Sequence, residues 1–157
     1  MKLRIYYIGK DKKNFYSDVE DLYLKRIKNY IQIELVQIKP EKYNKRLSAE
    51  EIQKIETQKF NKALGEQKNV ILLDEVGKTY SSVNFSDFMQ KRMNMGGHNI
   101  SFIIGGAYGF SKEMKTKYKM IVSLSPLTFA HHLARTVLLE QIYRAFTIIH
   151  HEPYHNN

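Results

Sequence analysis

Apolar positions along the chain change period several times, and each change marks an element. Leu3-Arg4-Ile5-Tyr6-Tyr7-Ile8 predicts a strand that ends at Gly9. Between Asn14 and Tyr30, the residues Phe15, Val19, Leu22 and Ile27 recur at helical spacing, so an amphipathic helix is expected with these four as its core stripe. Ile31, Ile33 and Leu35 alternate with Gln32 and Glu34, and Pro40 closes this second strand. Ser48-Ala49-Glu50-Glu51 reads as a capping box, opening a helix that Gly65 ends. Val70-Ile71-Leu72-Leu73 and Ile100-Ser101-Phe102-Ile103-Ile104 are short apolar runs, the pattern of strands covered on both faces. The segment Asn84 to Met95 predicts a helix with Phe85, Phe88, Met89 and Met93 as its stripe, and Met120-Ile121-Val122 another short strand. From Thr128 to about Ile149 runs a helix apolar around much of its circumference; such a helix needs more than one partner surface, which predicts a subunit interface. Strands alternating with helices give an α/β class with a mostly parallel sheet flanked by helices.

Composition narrows the picture only in places. A length of 157 residues without a Pro-, Ser- or Gly-rich linker predicts one domain, 1–157. No apolar run approaches membrane-spanning length, and the opening MKLRIYYIGKDKK turns charged too early for a signal-peptide core, so a cytoplasmic location is expected. The absence of cysteine excludes disulfides, thiolate zinc sites and a cysteine nucleophile. A net charge of +9 favours a polyanionic partner, because each Lys or Arg that neutralises a phosphate releases a counterion; charge alone leaves RNA, DNA and anionic lipid open.

Three segments carry candidate chemistry. In Ile103-Ile104-Gly105-Gly106-Ala107-Tyr108-Gly109-Phe110-Ser111, three glycines follow a buried strand and precede a helix that Ser111 can cap. Glycine permits positive φ and close ligand approach, and strand C-termini are where α/β folds bind ligands. The spacing is not the dinucleotide fingerprint, and a tight strand-to-helix turn explains it equally well. Ser123-Leu124-Ser125-Pro126-Leu127-Thr128-Phe129-Ala130-His131-His132 offers small hydroxyl and apolar groups suited to wrapping an adenosine; the bland alternative is a βα loop with Thr128 as helix N-cap. The ending His150-His151-Glu152-Pro153-Tyr154-His155-Asn156-Asn157 holds three of the six histidines, yet adjacent His150 and His151 cannot share a helix face, which argues against a metal cluster.

Taken together, the two loops, the helix Arg135-Thr136-Val137-Leu138-Leu139-Glu140-Gln141-Ile142-Tyr143-Arg144-Ala145, the run Leu73-Asp74-x-x-Gly77-Lys78 and the ending Pro153-Tyr154-His155 resemble the RlmH family. That family comprises pseudouridine N3-methyltransferases of large-subunit ribosomal RNA within the SPOUT class, and the resemblance spans essentially the whole chain. Two departures stand out: Ala130 where proline is common, and Asn156-Asn157 where a basic residue often follows Tyr-His.

The resemblance implies a homodimer with a deep C-terminal trefoil knot, S-adenosylmethionine as cofactor, and a pseudouridine in helix 69 of 23S ribosomal RNA, on the assembled ribosome, as substrate. It assigns cofactor contacts to Leu73, Gly105, Leu124, Ser125, Pro126, Leu127, Thr128 and Phe129. No metal is needed, since the sulfonium already activates the methyl group. Methylating N3 requires loss of its proton, so His155 is the candidate for proton handling, Tyr154 for orienting or stacking on the base, and Arg144 for electrostatic support or phosphate anchoring. An intrahelical pair with Glu140 is the structural alternative for Arg144. Lys112, Lys115, Lys117 and Lys119 are candidate RNA-backbone contacts or a solvated helix face. Rival readings are a non-catalytic ribosome- or RNA-binding protein, a SPOUT methyltransferase for another RNA such as transfer RNA, and, more remotely, a histidine-rich metallohydrolase.

Overall fold

The computed structural model describes residues 1–10, 13–40, 47–95 and 99–155. Five strands and five helices alternate along the chain: β1 (Lys2–Ile8), α1 (Phe15–Ile27), β2 (Gln32–Ile38), α2 (Ala49–Leu64), β3 (Asn69–Thr79), α3 (Ser82–Asn94), β4 (Ile100–Ile104), α4 (Lys112–Lys117), β5 (Ile121–Ser123) and α5 (His131–Ile149). All strand pairings are parallel, in the order β2-β1-β4-β3-β5. This is the expected α/β class.

Strand alternation divides the core into two layers. Leu3, Ile5, Tyr7, Ile71, Phe102 and Ile104 face α1, α3 and α5, whereas Tyr6, Ile8, Val70, Leu72 and Ile103 face α2 and α4. The local signals behave as the sequence indicated. Ser48 accepts from Glu51 N at 3.2 Å while the Glu51 carboxylate accepts from Ser48 N at 2.7 Å, and Gly65 takes φ +56° at the end of α2. Ser111 caps α4 by accepting from Met114 N.

Three expectations need correction. In α1 only Ile27 of the four stripe residues is buried; Phe15 is 98% exposed, with Val19 and Leu22 also exposed. The buried face instead runs through Glu20, Tyr23, Leu24 and Ile27, about 100° round the helix. It was missed because its first member is a carboxylate, which is buried by a bidentate pair with Arg135 at 2.7 and 2.8 Å. Second, Thr128 does not cap α5: the cap position is Ala130, with no side-chain bond, and Thr128 donates to Glu75 instead. Third, the all-round apolarity of α5 is largely satisfied within one chain, because α1 and α3 both pack on it, so that feature does not itself require a second subunit.

β3 continues past Leu73 and meets β5 twice. Leu73 and Lys78 both pair with Val122, and the residues between them swing outward in a turn where Asp74 Oδ1 accepts from Val76 N at 3.1 Å. Gly77 then passes so close to β5 that a Cβ there would lie 2.7–2.8 Å from backbone atoms of Ile121 and Val122. Backbone cannot step aside as a flexible side chain can. Gly77→Ala is therefore expected to destabilise the fold by about 4 kcal/mol or more, read from urea denaturation. A shift below about 1 kcal/mol would show that the crossing is loose.

Candidate functional site

The C-terminal ends of β4 and β5 and the excursion from Leu73 to Val76 within β3 converge on a cavity of about 510 Å³. Parallel strands leave their terminal groups and following loops at this edge, and a volume in this range suits a nucleoside-sized ligand. Of the sequence-predicted contacts, Leu73, Gly105, Leu124, Ser125, Leu127, Thr128 and Phe129 line it together; Pro126, exposed, does not. Ser125 Oγ accepts from Leu127 N at 3.0 Å, and Ser123 Oγ donates to Ser125 O at 2.9 Å, which fixes the loop after β5 in a tight turn. The Thr128–Glu75 bond ties that loop to the β3 excursion across the cavity rim. Gly109 takes φ +69°, closing the glycine turn through Gly109 N to Gly106 O.

Sequence reasoning missed the polar part of this wall. Gln53, Asp74, Glu75, Tyr108, Lys115 and His131 also line the cavity. Lys115, proposed as an RNA contact, is paired with Asp74 at 2.8 Å, so its charge is engaged at the cavity. Lys112, Lys117 and Lys119 are exposed, Lys117 donating to Asn61. Burial and the neighbouring His132 hold His131 below its ordinary pKa, favouring a neutral ring at the start of α5. Asp74 and His131 stood inside the motifs already singled out; Gln53 gave no sequence signal, because α2 reaches the site only through the fold.

The three candidate catalytic residues form a second cluster. Arg144 donates to Glu140 Oε1 through Nε at 3.1 Å and Nη2 at 2.5 Å, so the intrahelical pair exists. Its Nη1 lies 3.2 Å from His155 Nδ1, and its guanidinium sits 4.8 Å from the Tyr154 ring centroid. The Tyr154 hydroxyl donates to Glu140 Oε1 at 3.1 Å and meets Tyr23 Oη at 3.4 Å; its ring packs edge-on against Tyr143. Burial, the Tyr23 contact and the Glu140 charge hold this phenol well above its ordinary pKa, so it remains a donor. Tyr30 clamps the preceding residues, stacking on Phe146 and His150 and donating to Glu152. The tail is thus packed rather than frayed, and removing Tyr154 onward would cost stability, contrary to what a chain terminus suggests.

The two clusters lie at opposite ends of α5. Ala134 borders the cavity, and Arg144 is ten residues further along, about 15 Å at the helical rise. Tyr30 stands just before β2, at the N-terminal edge of a parallel sheet whose C-terminal edge holds the cavity. Among the described residues, no group of three or more His, Asp or Glu converges to hold a metal ion, and no helix is long and apolar enough to cross a membrane.

A family model described as "Predicted SPOUT methyltransferase" matches residues 1–155. Proteins named ribosomal RNA large subunit methyltransferase H align over 99% of this chain and 99% of their own: 42% identical in Flavobacterium johnsoniae, 36% in Porphyromonas gingivalis and 39% in Desulfitobacterium hafniense. The chain belongs to the RlmH family of SPOUT methyltransferases. The fold is shared with a solved probable methylase family protein from Haemophilus influenzae, at TM-score 0.57 and 13% identity over 95% of this chain and 66% of that one.

SPOUT methyltransferases take the transferred methyl from S-adenosylmethionine. The cavity suits that group: apolar walls from Leu73, Ile104, Leu124 and Phe129 can face an adenine, while Asp74, Glu75 and Lys115 offer charges for a zwitterionic methionyl end. Bound there, the cofactor supplies an electrophilic methyl, and the family's chemistry becomes a matter of presenting a nucleophile to it.

Proposed function

We propose that this SPOUT methyltransferase methylates N3 of a pseudouridine in helix 69 of 23S ribosomal RNA, in the cytoplasm, on the assembled ribosome. The full-length likeness to ribosomal RNA large subunit methyltransferases carries this reading, and the net charge of +9 agrees with it. The cofactor is held by Leu73, Gly105, Leu124, Ser125, Leu127, Thr128 and Phe129, with Pro126 stiffening the loop from outside the cavity.

The tail completes the site. Arg144 possesses only donors, so Nδ1 of His155 accepts from it and the neutral ring carries its proton on Nε2. In this arrangement His155 donates towards a carbonyl oxygen flanking N3, stabilising the charge left as the N3 proton passes to solvent water. It takes that proton itself only after the Arg144 contact opens. Tyr154 anchors the tail, because its ring is already engaged by Arg144 and Tyr143.

A tail at one end of α5 and a cofactor cavity at the other favour a homodimer in which each tail serves its partner's cavity. The surface for it is the exposed face of α1, Phe15, Val19 and Leu22, beside Leu133 on α5, since Tyr16 stacks on His132 where the two helices adjoin. The C-terminal part is knotted, a reading that rests on membership of the SPOUT class.

The test compares methyl incorporation into intact ribosomes, isolated large subunits and a synthetic helix 69 stem-loop containing pseudouridine. Phosphate contacts position a protein without specifying a base, so a small single domain needs the ribosomal surface for selectivity. Turnover is expected on ribosomes and to be at least about 100-fold lower on the stem-loop; binding should weaken about 1,000-fold from 50 to 200 mM salt if six phosphates are contacted. Equal rates on stem-loop and ribosome would remove the assembly requirement. Methylation of transfer RNA alone would replace the substrate.

A further inference from the structure

Behind the glycine turn lies a buried carboxylate that the cofactor reading does not use. Glu56, on α2, is 5% exposed and is not among the residues lining the cavity. A Cβ added at Gly106 would lie 2.6 Å from the Glu56 carboxyl carbon and closer still to both oxygens. A side chain at 106 would thus have to displace the Glu56 carboxyl group, whereas Gly109 takes positive φ. The neighbours of Glu56 on the same helix face hold the rest of the turn. Gln53 Nε2 donates to Tyr108 O at 2.6 Å, Thr57 Oγ1 meets Ser111 Oγ at 2.7 Å, and Asn61 Nδ2 donates to Glu113 at 3.3 Å. Gln53, Thr57 and Asn61 follow at spacings of four, and Glu56 lies three beyond Gln53 at the side of that stripe, so α2 is laid along the turn from Gly106 to the start of α4.

The Glu56 carboxyl group, wedged between α2 and Gly106, is too large to let the turn collapse toward α2 and too polar to be displaced into the apolar layer of Phe60 and Leu64. We propose that Glu56 is a positioning residue for the methyl donor, fixing the path of the Gly105–Gly109 turn from behind and thereby governing cofactor affinity without touching the ligand. The inference rests on S-adenosylmethionine occupying the cavity.

Calorimetric titration with S-adenosylmethionine tests it in the full-length protein, using Gly106→Ala, Glu56→Asp and both together, with thermal melts to verify folding. Gly106→Ala alone should weaken binding about tenfold or more, because the methyl collides with the carboxyl group. Glu56→Asp retracts that group by one methylene and keeps the carboxyl function. In that background the cost of Gly106→Ala should shrink to about threefold or less, a coupling that two independent structural defects would not show. Glu56→Gln, which keeps the length, should leave the Gly106→Ala penalty at its full size. Additive penalties in the Glu56→Asp background, or unchanged affinity in Gly106→Ala, would overturn the role of Glu56 while wild-type binding upheld the cavity. Absence of binding by the wild type would overturn both.

Discussion

Methyl transfer to ribosomes is expected to fall about 100-fold or more when His155 is replaced by alanine, with S-adenosylmethionine affinity and melting temperature close to wild type. The reason lies in where His155 stands. Among the described residues its one polar contact is Arg144 Nη1, and Arg144 keeps its ion pair with Glu140 without it, so deletion of the imidazole leaves the tail cluster anchored. The cofactor cavity, at the other end of α5, gains and loses nothing within the same chain. A whole-tail deletion is the weaker experiment, since Tyr154 is packed among Tyr23, Glu140, Tyr143 and Arg144 and its loss would confound stability with chemistry. Single-turnover methylation with labelled donor reads the effect. Turnover by the alanine variant within about threefold of wild type would exclude the imidazole from the mechanism. Mixing His155→Ala protomers with protomers that cannot bind cofactor adds a second reading. If each tail serves its partner, the mixed dimer contains one site lacking both functions and one lacking neither, and activity returns.

Gly105→Val is expected to weaken S-adenosylmethionine binding by more than about 100-fold. Sequence alone suggests that the branched side chain would block the ligand directly. The structure gives a different route to the same result: a Cβ at Gly105 points at the Phe110 ring, 3.3–3.4 Å from three of its carbons. Alanine would already press on that ring, and the two further methyls of valine must displace it. Phe110 is buried against Phe60 and at the same time forms part of the cavity wall, so its movement deforms the site. Gly105→Ala should therefore show a much smaller loss than valine, about threefold to tenfold, because a few tenths of an ångström of ring motion relieves it. Calorimetry on both variants checks the order. Equal losses for alanine and valine would favour direct contact with the ligand, and unchanged affinity in the valine variant would remove the turn from the site.

Local order was legible in the sequence wherever neighbouring residues determine it. The capping box at Ser48, the end of α2 at Gly65, the cap at Ser111 and the doubly covered strands at Val70 and Ile100 depend on hydrogen bonds and burial within a few positions. The cavity-lining loops were legible for a related reason: glycine and small hydroxyl residues after buried strands are short-range features, and seven of the eight residues that the resemblance assigns to a cofactor line one cavity. The family followed from motifs arriving in matching order over the whole length, and the full-length relatives bear that out.

What neighbours along the chain do not determine, only the tertiary structure decided. The buried face of α1 was misread because Glu20 is made compatible with the interior by Arg135, 115 residues away, and no periodicity of apolar residues records a pair of that separation. Gln53 joins the cavity wall, with Glu56 and Thr57 behind it, only because α2 crosses behind a turn some fifty residues later in the chain. The apolar girth of α5 predicted a partner subunit, yet α1 and α3 of the same chain cover most of it. The tail gives the sharpest contrast. Sequence marks Tyr154 and His155 as chemically able, but their side chains close on α1 and the far end of α5, at the sheet edge opposite the cavity. Reactive groups are written into a sequence, whereas the distance between them is set by strand order and helix length, which emerge only when the whole core is packed.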